Sequence, residues 1–153
     1  MSKFYYLRKS VLGFTVLSGI LFFSSFILPR DHTDQPRVLF ENESVIITSV
    51  TERCPLPQDG TDNVNVLLSV KNKTAKKIAV TFQEEISYDG NCRTCGKDEY
   101  RYVIELDPHA VKAATCGDKS IFGLTIFHHM PSGFTNSKLT DFKLSEVTIN
   151  QLD

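Results

Sequence analysis

Two runs of strict alternation constrain this chain more than any other feature. Val64, Val66, Leu68 and Val70 alternate with Asn65, Leu67, Ser69 and Lys71, and Ile78, Val80 and Phe82 alternate with Ala79, Thr81 and Gln83. A period of two sends successive side chains to opposite faces of an extended strand, so each run carries one face for a core and one for water. That is the habit of antiparallel sheets, and the polar stretch Asn72 to Lys77 between the runs reads as a hairpin loop.

Further strand signals follow the same period. Val38 to Phe40 and Ser44 to Thr51 are β-rich and separated by the turn-like Glu41, Asn42 and Glu43. Tyr100, Tyr102, Ile104 and Leu106 alternate with Arg101, Val103 and Glu105 and stop at Asp107 and Pro108. Ile121 to His129 is nearly continuous in apolar residues, which suits a central strand. Near the C-terminus Phe142 and Leu144 stand on even positions but Val147 and Ile149 on odd ones, and a bulge near Ser145 reconciles the two parities. Seven or eight strands spaced by turns, with no amphipathic helical stretch after residue 30, predict an all-β antiparallel sandwich over residues 38–153. Its expected core includes Val66, Leu68, Val80, Phe82, Ile104, Leu124 and Ile126. With 153 residues, 41% hydrophobic and 23% charged, there is material for one such core, which excludes a disordered chain and a multi-span membrane protein.

The strand number, the segment VNVLLSVKNKTAKKIAVTF and the strand-to-turn step YVIELDPHAV resemble the immunoglobulin-like and fibronectin type III superfamily over residues 38–150. The resemblance implies a fold and carries no functional residue across. The chain contains no Trp, so the buried tryptophan that marks antibody-type domains is not part of it.

The first 28 residues are of another kind. Val11 to Leu28 is a run of 18 uncharged residues, preceded by KFYYLRK and closed by Pro29, Arg30 and Asp31. As a helix it reaches roughly 27 Å, close to the hydrocarbon thickness of a bilayer. Its end, FFSSFILPR, puts Phe22 and Phe23 three positions before the bonds after Ser24 and Ser25, a poor cleavage site, and no cysteine is near to take a lipid. The expected arrangement is a signal anchor at 1–28, with a removed signal peptide as the alternative, a polar linker at 29–37, and the β domain beyond. Lys3, Arg8 and Lys9 keep the N-terminus in the cytoplasm and send the rest across, or into a secreted or periplasmic form if the segment is cut. Because those three residues are the only charges there, the remaining 125 residues carry -4 of the total -1, which disfavours nucleic acid as a partner.

Chemistry is sparse. Cys54, Cys92, Cys95 and Cys116 all fall in the exported part, where disulfides are the rule. Three connectivities are possible. Bonds from Cys54 and Cys116 to separate members of the Cys92 and Cys95 pair would fasten the loop YDGNCRTCGKDE at two points, whereas a bond within the pair constrains little. The same four cysteines, with His109 as a substitute, are an alternative zinc set, and Cys92-Arg93-Thr94-Cys95 has the spacing of a redox pair without a visible helix N-terminus to activate it. Gly96 in place of His excludes covalent haem, and no other cofactor is implied. His128 and His129, adjacent on a strand, should point to opposite faces and not share a metal, and Glu84 and Glu85 should split in the same way. Asn42 and Asn72 head N-glycosylation sequons, the lysines of KNKTAKK read as a solvated loop tip, and Tyr88, Tyr100 and Tyr102 read as either core or a stacking surface for a small ligand or glycan. No catalytic fingerprint occurs. The expectation is a non-catalytic binding or structural module that engages another protein, for instance within a membrane complex, with a zinc or thiol-redox protein as the alternative.

Overall fold

Nine strands carry the alternating residues in the computed structural model, which describes residues 35–118, 120–131, 135 and 137–153. The anchor expected at 1–28 and the linker up to residue 34 lie outside the described residues. In chain order the strands are β1 (Arg37–Glu41), β2 (Val45–Leu56), β3 (Thr61–Asn72), β4 (Ile78–Tyr88), β5 (Asn91–Cys92), β6 (Arg101–Leu106), β7 (Val111–Ala113), β8 (Thr125–His129) and β9 (Leu139–Gln151).

All pairings are antiparallel, and they form two sheets. In the first, β1 pairs β2, β2 pairs β3, and both β7 and β8 lie along the remaining edge of β3. In the second, β9 runs along one edge of β4 while β5 and β6 share the other. The core lies between the sheets, with Val45, Ile47, Val66, Leu68 and Val70 from the first meeting Val80, Phe82, Ile86, Ile104 and Leu106 from the second. All seven expected core residues are buried.

Each central strand therefore has an interrupted outer neighbour. On β3 the interruption sits at Leu68, whose N–H donates to Leu124 O and whose carbonyl accepts from Ala114 N, so β7 and β8 are one edge strand broken by an excursion between Ala114 and Leu124. This corrects two expectations for the run from Ile121 to His129: the strand starts only at Thr125, and it holds an edge rather than a central place. The reason is the turn at Gly123, with φ of 78°, where an added Cβ would lie 2.2 Å from the Tyr102 ring. The residue must be glycine for the chain to re-enter beside that ring.

Asn72 to Lys77 is not a hairpin, because β3 and β4 belong to different sheets. Asn72 is fully buried, and its amide donates to Lys76 O at 2.7 Å and Asp107 O at 2.9 Å while its Oδ1 accepts from the N–H and hydroxyl of Thr74. A buried amide satisfied this way holds the crossing between sheets. It also leaves no nitrogen for a glycan, so of the two sequons only that of the exposed Asn42 is open. Around this crossing Lys73 pairs with Glu41, Lys76 donates to Gln151, and Lys77 pairs with Glu105.

The change of parity in β9 is a bulge as expected. Thr81 faces Thr148 but Gln83 faces Ser145, so one extra residue enters, and Glu146 takes the positive φ of 52°.

Candidate functional site

The register places the cysteines on opposite outer faces. Cys54 is not in a loop but within β2, opposite Asn63, with the parity opposite to that of Val45, Ile47 and Ser49, which enter the core. It bonds Cys116 in the excursion of the first sheet. Cys92 is the register partner of Ser87 and bonds Cys95. Ser87 and Glu85 face away from the core on β4, since Phe82, Glu84 and Ile86 face into it. The expected bonds between Cys54 or Cys116 and the Cys92 and Cys95 pair are thus not made. A bond spanning from one outer face to the other would cross two sheets packed about 10 Å apart, whereas bonded cysteines need Cα atoms within about 7 Å. The four sulfurs that the zinc alternative requires in one cluster are divided in the same way, and His109 stands in the turn between β6 and β7.

The Cys92 to Cys95 loop fills the gap that β5 and β6 leave along β4. Thr94, almost wholly buried, does there what a paired strand would do: its hydroxyl donates to Glu84 O and accepts from Ile86 N, both at 2.7 Å. Arg93 N donates to Ile86 O, and the buried Gln83 amide donates to Lys97 O at 2.9 Å. The loop is therefore seated from beneath, while Cys92 and Cys95 are exposed.

The two sulfurs have unlike surroundings. The Cys95 backbone N–H donates to Cys92 Sγ at 3.1 Å, whereas Cys95 Sγ lies 3.7 Å from Glu85 Oε2. The Glu85 carboxyl is held below its ordinary range by a hydrogen bond from Ser145 and by Lys143, whose ammonium is 2.9 Å away, so it is a fixed negative charge.

Glu84, its neighbour in sequence, is turned into the core, as the alternation required. It is 3% exposed, its Oε1 has no hydrogen-bond partner among the described residues, and burial pushes its pKa up to about 8. Tyr88 and Tyr102 are also held above the ordinary phenol range, chiefly by burial and then by the charge of Glu84. Both rings serve packing: Tyr102 lies 6.1 Å from Phe82, and the Tyr88 hydroxyl donates to Phe127 O at 2.5 Å. Tyr88 also lines a cleft of about 520 Å³ together with Arg93, Phe127, Thr135 and Ser137, whereas a smaller one of about 280 Å³ lined by Gln35, Arg37, Ser49, Thr51 and Phe142 involves none of Tyr88, Tyr100 and Tyr102.

His128 and His129 do not point apart. Val64 faces His129 and Asn65 faces Phe127, so His128 is the extra residue of a bulge, and the two Nδ1 atoms lie 2.8 Å apart. One nitrogen donates and the other accepts. Alternation fails here because the bulge re-aims one ring, a feature without a signature in the residues themselves. Among the described residues no three metal-ligating side chains converge.

No family model, no curated protein and no solved structure matches the chain.

Proposed function

We propose that the chain is an extracytoplasmic binding or structural module, an immunoglobulin-like β-sandwich carried by its apolar N-terminal segment, which engages another protein through the outer face of its first sheet. An accessory subunit of a membrane complex fits this description. The observation that carries the reading is the contrast between the two outer faces. On the second sheet that face bears Glu85, Lys143, Arg101 and Glu105, joined into ion pairs with neighbours, so that its exposed Val103 stands singly between charged residues. On the first, register partners align Val38 with Thr48 and Ser69 with Ala113, Val50 lies opposite the buried Leu67, Val111 stands at the edge beside Lys71, and no charge falls between Glu52 and Lys71. Val38 and Val111 are 53% and 54% exposed, and Phe122 of the adjoining excursion is 80% exposed. Uncharged faces with exposed aromatic and aliphatic side chains favour protein contact, and ion-paired faces resist it.

A photo-crosslinking side chain placed at Val111 in the native membrane tests this. The expected result is one discrete protein adduct that disappears when Phe122→Asp is added, and none from the same probe at Thr148 on the other outer face. Equal adducts from both positions, or none from Val111, overturn the assignment.

A further inference from the structure

The Cys92–Cys95 bond is a poor staple. It closes a separation of 3 residues, so it removes little freedom from the unfolded chain, and the loop it closes is already seated by Thr94, Arg93 and Gln83. A bond that the fold does not need, exposed on a face with two differently polarised sulfurs, has the properties of a reactive couple. We propose that Cys92 and Cys95 form an exchangeable dithiol–disulfide couple in which Cys92 is the nucleophile and Cys95, beside Glu85, is the resolving thiol.

The chemistry follows from the two contacts. In the reduced pair the Cys95 N–H stabilises negative charge on Cys92, as backbone donors do for reactive thiolates, while the Glu85 carboxylate keeps Cys95 protonated. The Cys92 thiolate attacks one sulfur of a disulfide in a partner protein. A mixed disulfide forms on Cys92, and the partner's other sulfur leaves as a thiolate and takes a proton from water. Cys95 then loses its proton to water and attacks Cys92 Sγ, which forms the Cys92–Cys95 bond and releases the partner's second sulfur as a thiolate that takes up a proton in turn. Two electrons pass from the pair to the partner, and a dithiol of the oxidoreductase class must return them by the reverse steps. Throughout, Thr94 keeps both sulfurs in place, so re-closure needs no search. The charged groups around the pair are Glu85 on β4, Lys143 and Asp141 on β9, and Arg93 and Lys97 in the loop itself. This activity is independent of the face proposed for protein docking, which lies on the other sheet.

The test uses the full chain in detergent. Mild dithiothreitol at neutral pH, followed by alkylation and peptide mapping, is expected to open Cys92–Cys95 and leave the Cys54–Cys116 bond, whose Cys54 is fully buried, closed. At pH 6.5 Cys92 should alkylate about 10-fold faster than an ordinary thiol, and Cys95 should not. Glu85→Gln should speed alkylation of Cys95 by about 3-fold or more at pH 7.5 and leave Cys92 unchanged, a readout that a merely structural carboxylate would not move. Cys95→Ser should collect a mixed disulfide with oxidised glutathione on Cys92, at least about 10-fold faster than Cys92→Ser collects one on Cys95. Opening of both disulfides only together on unfolding, equal reactivity of the two thiols, or equal effects of Glu85→Gln on both overturns the proposal.

Discussion

Replacing Glu84 by Gln should make the protein more stable, and the gain should grow with pH. In the unfolded chain the carboxyl titrates near its ordinary 4.5, but in the folded state burial moves the titration to about 8. Below pH 4.5 both states hold the proton, and the group contributes no pH dependence. Between 4.5 and 8 the folded protein keeps a proton that the unfolded chain has lost, so stability falls as pH rises through this window. Each decade between the two titrations is worth about 1.4 kcal/mol, which makes the cost of burying Glu84 about 3 kcal/mol at pH 7 and about 5 kcal/mol above pH 8. A domain of this size has roughly 5 to 15 kcal/mol in total, so the effect is a large fraction of its stability. Glutamine keeps the volume, opens no cavity and never ionises. Urea unfolding of both proteins at several pH values between 4.5 and 8.5, followed by tyrosine fluorescence because the chain has no tryptophan, measures the difference directly. Any constant contribution from the new amide cancels in the slope. A difference that stays constant within about 0.5 kcal/mol from pH 5 to pH 8 would refute the claim that an unpaired carboxyl sits in the core.

Three other outcomes are expected. Gly123→Ala should lose about 2 kcal/mol or more, because its Cβ would lie 2.2 Å from the Tyr102 ring on backbone of positive φ, and a loss below about 0.5 kcal/mol in urea would show that the excursion can simply shift. Removing the Cys54–Cys116 bond by a double alanine substitution should cost about 4 kcal/mol, from a closure of 62 residues, against about 2 kcal/mol or less for Cys92 and Cys95, and thermal unfolding that ranks them the other way contradicts the assignment. Asn72→Ala should cost about 3 kcal/mol by stranding the carbonyls of Lys76 and Asp107, and in a glycosylating host the mass of the protein should show sugar on Asn42 and none on Asn72.

What the residues disclosed and what they withheld divide along a physical line. Period-two alternation is a local property, and it located β3, β4, β6 and the core from Val66 to Ile126. A break in that alternation is equally local, which is why the bulge by Ser145 was visible. Pairing is not local. Asn72 to Lys77 has the composition of a hairpin turn, and only the carbonyls of Leu106 and Asp107, more than thirty residues further on, make it a crossing between sheets. The bulge that joins His128 to His129 carries no break in apolar pattern, because both neighbours on that strand are apolar or histidine, so nothing in the residues distinguished it.

The cysteines show why a sound energetic preference can select the wrong bond. Loop entropy favours long closures, and on that ground Cys92 and Cys95 should each reach a distant partner. The preference operates only among pairs that the folded geometry brings within reach. Once β2 places Cys54 on one outer face and β5 places Cys92 on the other, the core between them removes those closures from the set, and Cys116 remains as the one long-range partner for Cys54. The short bond then contributes little stability, which is the premise of the exchange proposed for it. Its seat, Thr94, satisfies β4 backbone groups through hydrogen bonds that involve neither sulfur, so under the proposed exchange the loop stays seated when the bond opens. Tolerance of both states is what exchange requires and what a structural disulfide does not need. The same strand, through Glu85, supplies the charge that makes the two sulfurs unequal.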